Sequence, residues 1–353
     1  MYSPEHNSIL KEPICIINQE WANETIPTVS IINNTFNHEK FIRDAIEGFL
    51  MQQTTFKVEI LIHDDASNDT TPSIVRDYEN RYPSLIFPIY QTTNQYSKGI
   101  KPSRNYQFPR SRGKYIALCE GDDYWTDPLK LQKQVVFLEN NPGFAICHHN
   151  MIVKYENNPE NDRFWNSPEQ SEITFIHDLA RGNYISTASC LFRNNLSLTS
   201  QDWFKNAPVG DYFLHMENAK YGKIRYMRDI MGVYRVHEGG IWEKTDQKFK
   251  LEKLIEIYDL MKTHYSPEIN RILMDTQNKL CLELMGLSVD DQIKCKSLSL
   301  KMIENNPEYI LETHKKQLQL TEEINALRGS IYFIIRLKLK QLLKRLLKFF
   351  KSN

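Results

Sequence analysis

No two of the six cysteines stand in a CxxC pair, and the spacing of Cys15, Cys119, Cys147, Cys190, Cys281 and Cys295 suits neither a zinc knuckle nor a redox motif. They read as reduced, mostly buried thiols. An excess of charge is lacking too: 44 Lys and Arg balance 44 Asp and Glu, which argues against a protein that coats nucleic acid through global basicity. No stretch of roughly 18 uncharged apolar residues is present to form a transmembrane helix. The opening Met-Tyr-Ser-Pro-Glu-His has neither the basic nor the apolar region of a signal peptide, so a cytoplasmic location is expected. Missing as well are a GxGxxG after the first strand and a GxxxxGK(S/T) anywhere, the glycine loops by which dinucleotide and P-loop enzymes hold phosphates. There is no internal repeat and no low-complexity segment.

What remains is a composition close to the globular average, 41% hydrophobic and 25% charged over 353 residues. Residues 1–26 lack periodicity and read as an irregular leader. Apolar runs then alternate with helical patterns. Thr28–Asn33, Val58–His63, Leu85–Gln91, Tyr115–Cys119 and Phe144–His149 are strand candidates. Between them, 38–51 places Phe41, Ile42, Ala45, Ile46, Phe49 and Leu50 on one face, Ile74, Val75 and Tyr78 mark a second helix, and Pro128 opens a third through Leu138. Repeated strand-helix units at this spacing predict an α/β fold with a doubly wound, mostly parallel sheet. From about Gln247 to Leu327 the pattern turns helical. The expected division is a leader at 1–26, a catalytic domain at 27–243, a helical region at 244–328 and a terminal helix at 329–353.

Ligands of open parallel sheets collect at the carboxyl ends of the strands. Here those ends are acidic: Asp64 and Asp65 close the second strand, and Glu120, Asp122 and Asp123 close the fourth. Five carboxylates at neighbouring ends repel unless something neutralises them, and Mg²⁺ or Mn²⁺ bridging to a diphosphate does so. The competing reading is that Asp-rich turns cap helices, with Asp69 serving the helix near Thr71 and Asp127 the one after Pro128.

Three ordered runs carry a resemblance: Val29-Ser30-Ile31-Ile32-Asn33-Asn34-Thr35-Phe36-Asn37-His38-Glu39; Ile62-His63-Asp64-Asp65-Ala66-Ser67-Asn68-Asp69; and Gly113-Lys114-Tyr115-Ile116 through Glu120-Gly121-Asp122-Asp123-Tyr124-Trp125. Over roughly residues 27–240 the chain resembles the inverting glycosyltransferases of family 2, and the resemblance implies their GT-A fold. It implies that Asp65, next to Asp64 and flanked by Asn34 and Phe36, meets the nucleotide base. It implies that Asp122 and Asp123 serve metal, ribose and diphosphate. Glu120 stands where many members have the first Asp of that motif, and Asn34 where Pro is common. An Arg-Asn pair common between strands three and four corresponds to Arg104-Asn105, and the Arg104 fork suits a phosphate; a surface helix arginine is the bland alternative.

Inverting transfer needs a carboxylate that takes the acceptor hydroxyl's proton. Family members place it downstream in an acidic element opening a helix, which Gly210-Asp211-Tyr212 matches, so Asp211 is the candidate base; an N-cap role can coexist with that. Tyr234-Arg235-Val236-His237 resembles the element closing many such domains, which offers His237 to metal or diphosphate and Arg235 to the leaving group. His148-His149, at the end of strand five, are candidates for the acceptor side.

The last segment is a separate signal. From Ile331 to Asn353 seven basic residues meet no acid, leaving 37 basic against 44 acidic residues before it. Ile335, Leu339, Leu342, Leu343, Leu346 and Phe350 recur at helical spacing opposite Arg336, Lys340, Lys344, Lys348 and Lys351. Such a helix suits the interface of an anionic membrane, or docking on the acidic body of the molecule or on a partner. The expected function is metal-dependent transfer of a sugar from a nucleotide-diphosphate donor, UDP-linked, to a saccharide or lipid-linked acceptor. The alternatives are a sugar-phosphate nucleotidyltransferase and a non-catalytic nucleotide- or carbohydrate-binding membrane scaffold.

Overall fold

A computed structural model of the chain describes residues 10–22, 24–195, 210–240, 245–288 and 290–306. Its centre is a ten-stranded mixed sheet. In chain order the strands are β1 (Val29–Thr35), β2 (Val58–Asp64), β3 (Ile86–Tyr90), β4 (Tyr115–Leu118), β5 (Tyr124–Trp125), β6 (Phe144–Tyr155), β7 (Arg163–Phe164), β8 (Ile173–Thr174), β9 (Leu191–Arg193) and β10 (Lys223–Val236). The order across the sheet is β8-β10-β6-β9-β4-β1-β2-β3, with β5 on β10 and β7 on β6. Strands β4, β1, β2 and β3 are parallel, and so are β6 and β10.

These strands are legible as continuous apolar runs because a parallel sheet is covered on both faces. Ile31, Ile60, Ile62 and Ala117 are fully buried. Helices α1 (Ile42–Leu50), α2 (Thr71–Arg81) and α3 (Lys130–Asn140) supply the covering layers, with Phe49, Val75 and Leu138 entirely enclosed. Asp69 accepts the Thr71 N–H at 2.9 Å and Asp127 the Leu129 N–H at 2.8 Å, but the N-caps are Thr70 and Leu129, so each Asp braces the turn ahead of its helix rather than capping it, and α3 opens at Lys130 rather than at Pro128. The leader is less irregular than its sequence suggests: Ile14–Cys15 pairs antiparallel with Gln53–Thr54.

Strand β9 was not apparent in the sequence. Its three residues lie antiparallel between β4 and β6 and so separate the two parallel blocks. Further along come α4 (Ile176–Leu179), α5 (Gly210–Ala219), α6 (Gln247–Met261), α7 (Pro267–Gly286) and α8 (Gln292–Asn305). Contacts divide the chain into Met1–Thr276 and Gln277–Asn353, a division that falls inside α7. The boundary expected at 243 lies in 241–244, outside the described residues, as does the basic helix of 329–353. In the first unit, α6 meets α5 through a Tyr212–Tyr258 hydroxyl contact of 3.0 Å. In the second, the Asn305 amide donates to Gln277 and Asn278.

One core residue conflicts with its surroundings. Lys130 is fully buried, its Nζ 3.9 Å from the Trp125 ring centre and 2.9 Å from Gln134 Oε1. Desolvation by burial lowers its pKa to about 8, with the thiols Cys190, Cys119 and Cys147 facing it. Above its unfolded value near 10.5 the amine is neutral in both states; as pH falls from there toward 8 only the unfolded state takes up a proton and stability is lost, the loss being complete once the buried amine also protonates below 8. Relative to Lys130→Met, the wild type should therefore gain roughly 2–3 kcal/mol between pH 7 and pH 10, at about 1.4 kcal/mol per pKa unit. Urea unfolding of both proteins across that range checks this; a constant difference contradicts it.

Candidate active site

The carboxyl ends of β1, β2 and β4 share one rim of the sheet, and the loops leaving them are tied together. The Asn37 N–H donates to Ser67 Oγ (2.8 Å) and the Asn68 N–H to Asn37 Oδ1 (2.9 Å). Asn37 and Ala66 both have left-handed backbone, φ 55° and 64°, a costly conformation for residues with a Cβ that points to a constrained, functional loop pair.

Asp122 is the centre of this rim. His237 Nε2 lies 3.1 Å from its Oδ2, and His38 Nε2 lies 3.7 Å from the same oxygen. Burial opposes ionisation of Asp122, but the hydrogen bond to His237 and the charges of His38 and His237 outweigh it and hold the carboxyl below its usual range. His237 Nδ1 accepts the Gly239 N–H at 3.0 Å, which orients the ring with Nε2 toward Asp122. Phe41 walls the group, its ring 4.4 Å from that of His237. One ligand atom each from His38, Asp122 and His237 falls within 4.8 Å of the others, a grouping able to hold a cation.

His38 Nδ1 is buried with no hydrogen-bond partner among the described residues, so none of them fixes its tautomer and Nε2 can carry the lone pair that a cation needs. Gly121 presses against this ring: a Cβ there would meet Thr35 Oγ1 at 2.6 Å and His38 Nδ1 at 2.8 Å, so only glycine lets the acidic loop lie this close.

Glu120 is exposed, and its carboxyl is raised, through desolvation first and then the charges of Asp122 and Asp211. Those two aspartates thus both act on Glu120 from different elements. Asp211 sits in the first turn of α5, where Thr187 Oγ1 donates to its Oδ2 (3.0 Å) and the Tyr212 N–H to its Oδ1 (2.7 Å). Each oxygen thus has one fixed donor and spare acceptor capacity. The helix begins at Gly210, so Asp211 lies within the first turn rather than at the expected N-cap before Tyr212.

The other anticipated residues fall into different places. Asp65 is buried, and its carboxylate accepts the Gln95 and Tyr96 N–H groups at 2.7 and 2.9 Å, which fastens the 94–98 turn over the rim. Asp64 is also buried, raised by desolvation, and takes the Ser67 N–H at 3.2 Å. Asn34 donates to Ser103 Oγ at 2.6 Å, while Phe36 is 42% exposed and free to stack. Arg104 is buried in a wide turn of π-helical bonding, Ser103–Gln107, rather than on a surface helix.

Asp123 does not join Asp122. It is turned into the protein, where its Oδ1 accepts the Arg235 N–H at 2.9 Å; burial, with the Asp122 charge adding to it, pushes its carboxyl well up. Arg235 is likewise committed elsewhere. Its guanidinium bonds the Asp44 carboxylate and the Asp122 carbonyl (3.1 Å), stands 3.4 Å from Glu156 and lies over Tyr124 at 4.4 Å. It clamps β10 to α1, so leaving-group contact is not its place in this structure. His148 and His149 are both fully buried, and neither lines an open acceptor surface. His148 packs on Tyr226 at 5.1 Å and is lowered to about 3, chiefly by desolvation. The residue sequence reasoning overlooked is His38, present in the Asn37-His38-Glu39 run but given no role; an imidazole in a loop leaving a strand's carboxyl end was the available signal.

Comparison with known proteins agrees with this geometry. Residues 30–197 match the family described as Glycosyl transferase family 2. An uncharacterized protein of Mycobacterium tuberculosis (strain ATCC 25618 / H37Rv) is 40% identical over 222 residues, 62% of each chain. The putative teichuronic acid biosynthesis glycosyltransferase TuaG of Bacillus subtilis is 30% identical over 144 residues, 40% of this chain and 54% of that one. The match thus spans about 62% of the length of the first of these relatives. Among solved structures, S. aureus TarS 1–349 in complex with UDP-GlcNAc aligns with a TM-score of 0.55 at 18% identity over 80% of both chains. Mannosyltransferase PcManGT from Pyrobaculum calidifontis, in complex with GDP-Man and Mn²⁺, aligns with 0.55 at 16% identity over 86% of this chain and 85% of that one. At such identities the likeness establishes the fold. With the ordered sheet and its acidic rim, residues 30–197 match glycosyl transferase family 2, and the chain has the mixed α/β GT-A fold of these solved structures.

Proposed function

We propose that the chain is a metal-dependent inverting glycosyltransferase that moves a sugar from a UDP-linked donor to a saccharide or lipid-linked acceptor in surface polysaccharide or glycolipid synthesis. The observation that carries this reading is the Asp122 carboxylate faced by two imidazoles at the carboxyl end of β4, within a family 2 domain. The TarS complex with UDP-GlcNAc and the likeness to the putative teichuronic acid biosynthesis glycosyltransferase TuaG support the donor and acceptor classes.

Asp122 and His237 would hold Mn²⁺ or Mg²⁺, whose charge stabilises the departing diphosphate. Phe36 and Asn34 flank the base, with Asp65 beneath it, and Arg104 serves a phosphate. Asp211, held by Thr187 and the Tyr212 N–H, takes the acceptor hydroxyl's proton as that oxygen bonds to the anomeric carbon. The bond from that carbon to the diphosphate oxygen breaks on the opposite face, and configuration inverts. Asp123 and Arg235 support the Asp122 loop from behind rather than touching the donor.

A thermal-shift screen of nucleotide sugars with Mn²⁺ tests the donor: a UDP-sugar should raise Tm most, because a ligand at 100 times its Kd stabilises by about 2.7 kcal/mol. A larger shift with GDP-mannose would replace UDP in this reading, and no shift with any donor would overturn it.

None of the described helices is long and apolar enough to cross a membrane. The basic pattern of 331–350 supports peripheral contact with the inner face of the cell membrane. The full chain should sediment with vesicles containing phosphatidylserine and lose that on removal of 329–353, each basic residue contributing about 1 kcal/mol. Equal sedimentation with neutral vesicles would exclude an electrostatic anchor.

A further inference from the structure

The geometry points to His38 as the third protein ligand of the cation, completing a donor set of two imidazoles and one carboxylate that favours a first-row transition-metal dication such as Mn²⁺ or Co²⁺ over Mg²⁺ or Ca²⁺. This rests on the metal-dependent reading above and adds the identity of the ligands and the selectivity they impose.

Ligand atoms bound to one ion at about 2.0–2.2 Å stand roughly 3–4 Å apart. Asp122 Oδ2 is 3.1 Å from His237 Nε2 and 3.7 Å from His38 Nε2, which is the required scale. His38 is also held in place for the task. Its N–H donates to Thr71 Oγ1 at 2.9 Å, its carbonyl accepts the Phe41 and Ile42 N–H groups, and its ring lies against Phe41 and His237. No hydrogen bond at Nδ1 among the described residues fixes its tautomer, so Nε2, 3.7 Å from Asp122 Oδ2, can present a lone pair to a cation. A second carboxylate is not at hand from Asp123, whose oxygen is engaged by Arg235.

Mg²⁺ and Ca²⁺ take oxygen ligands, whereas affinity for a site with imidazole donors rises along the first-row dications from Mn²⁺ to Co²⁺, so the preference over Mg²⁺ is smallest for Mn²⁺ and larger for Co²⁺. With two of three protein donors nitrogen, the site discriminates by ligand chemistry. A His38 that merely packs the loop would leave metal binding unmoved.

The test uses the full chain with UDP present, titrated with Mn²⁺ under electron paramagnetic resonance and competed with Mg²⁺. Wild type should bind Mn²⁺ at least about tenfold more tightly than Mg²⁺. His38→Gln should weaken Mn²⁺ by about tenfold or more while changing Mg²⁺ by less than about threefold, collapsing the preference. Spin-echo modulation of bound Mn²⁺ needs no variant: two histidine nitrogens in the wild type support the assignment, and one overturns it. Unchanged Mn²⁺ affinity and preference in both His38→Gln and His38→Ala, with binding abolished in Asp122→Asn, would remove His38 from the site and leave the metal-dependent reading standing. Failure of the wild type to bind Mn²⁺, or full binding by Asp122→Asn, would overturn both.

Discussion

Asp211→Asn is expected to lower turnover by about 10³-fold while leaving donor affinity within about threefold, because a positioned general base contributes on the order of 10²–10⁴. Asparagine keeps the volume, and one side-chain oxygen still accepts a hydrogen bond from Thr187 or the Tyr212 N–H. What is lost is the carboxylate's ability to take a proton. The first turn of α5 also loses a negative charge, worth about 0.3–1 kcal/mol of stability, too little to unfold the domain. Initial rates together with calorimetric titration of the donor separate the effects. Lost donor binding, or turnover near that of wild type, would remove Asp211 as the base.

Asp122→Asn should be more damaging, since it affects the ion as well as the rate. Among the described residues the carboxylate is the one that faces both His38 and His237, and it ionises readily because those rings face it. Replacing it with an amide leaves two imidazoles and removes the negative charge that draws the cation in. Turnover is expected to fall by about 10³-fold, the scale of losing one electrostatic stabiliser of a transition state. Added metal should restore little of it. The fold should persist, because Arg235 bonds the Asp122 carbonyl rather than its side chain. Activity that survives in Asp122→Asn would mean the diphosphate is neutralised by other groups.

How much of this could be read from the sequence depended on what sets each feature. Strands β1, β2 and β4 were legible because burial on both faces gives largely apolar runs, interrupted only by Ser30 and Glu59, that give way to polar or acidic residues at their carboxyl ends. Their observed ends lie within two residues of the expected ones. Strand β9 was not legible, since three residues carry no periodicity and its place is fixed by partners on either side. In the site, Asp122, His237 and Asp211 could be named because each carries a charge or a ring that chemistry requires. The division of labour between Asp122 and Asp123 could not. Adjacent residues look equivalent in a motif, yet one faces the rim and the other is drawn inward by the backbone N–H of Arg235, 112 residues away. Arg235 itself resembled a phosphate ligand by type; only packing shows its guanidinium spanning Asp44, the Asp122 carbonyl and Glu156. His148 and His149 looked like rim residues because they were expected to end a strand, but β6 continues to Tyr155 and takes both into the core.

Crystals soaked with MnCl₂ and UDP, measured at the manganese absorption edge, address the heart of the account. It predicts one strong anomalous peak about 2.0–2.2 Å from the Asp122 carboxylate and bridged to the diphosphate. A diphosphate bound with no peak at that position, or manganese found only on other carboxylates, would contradict it.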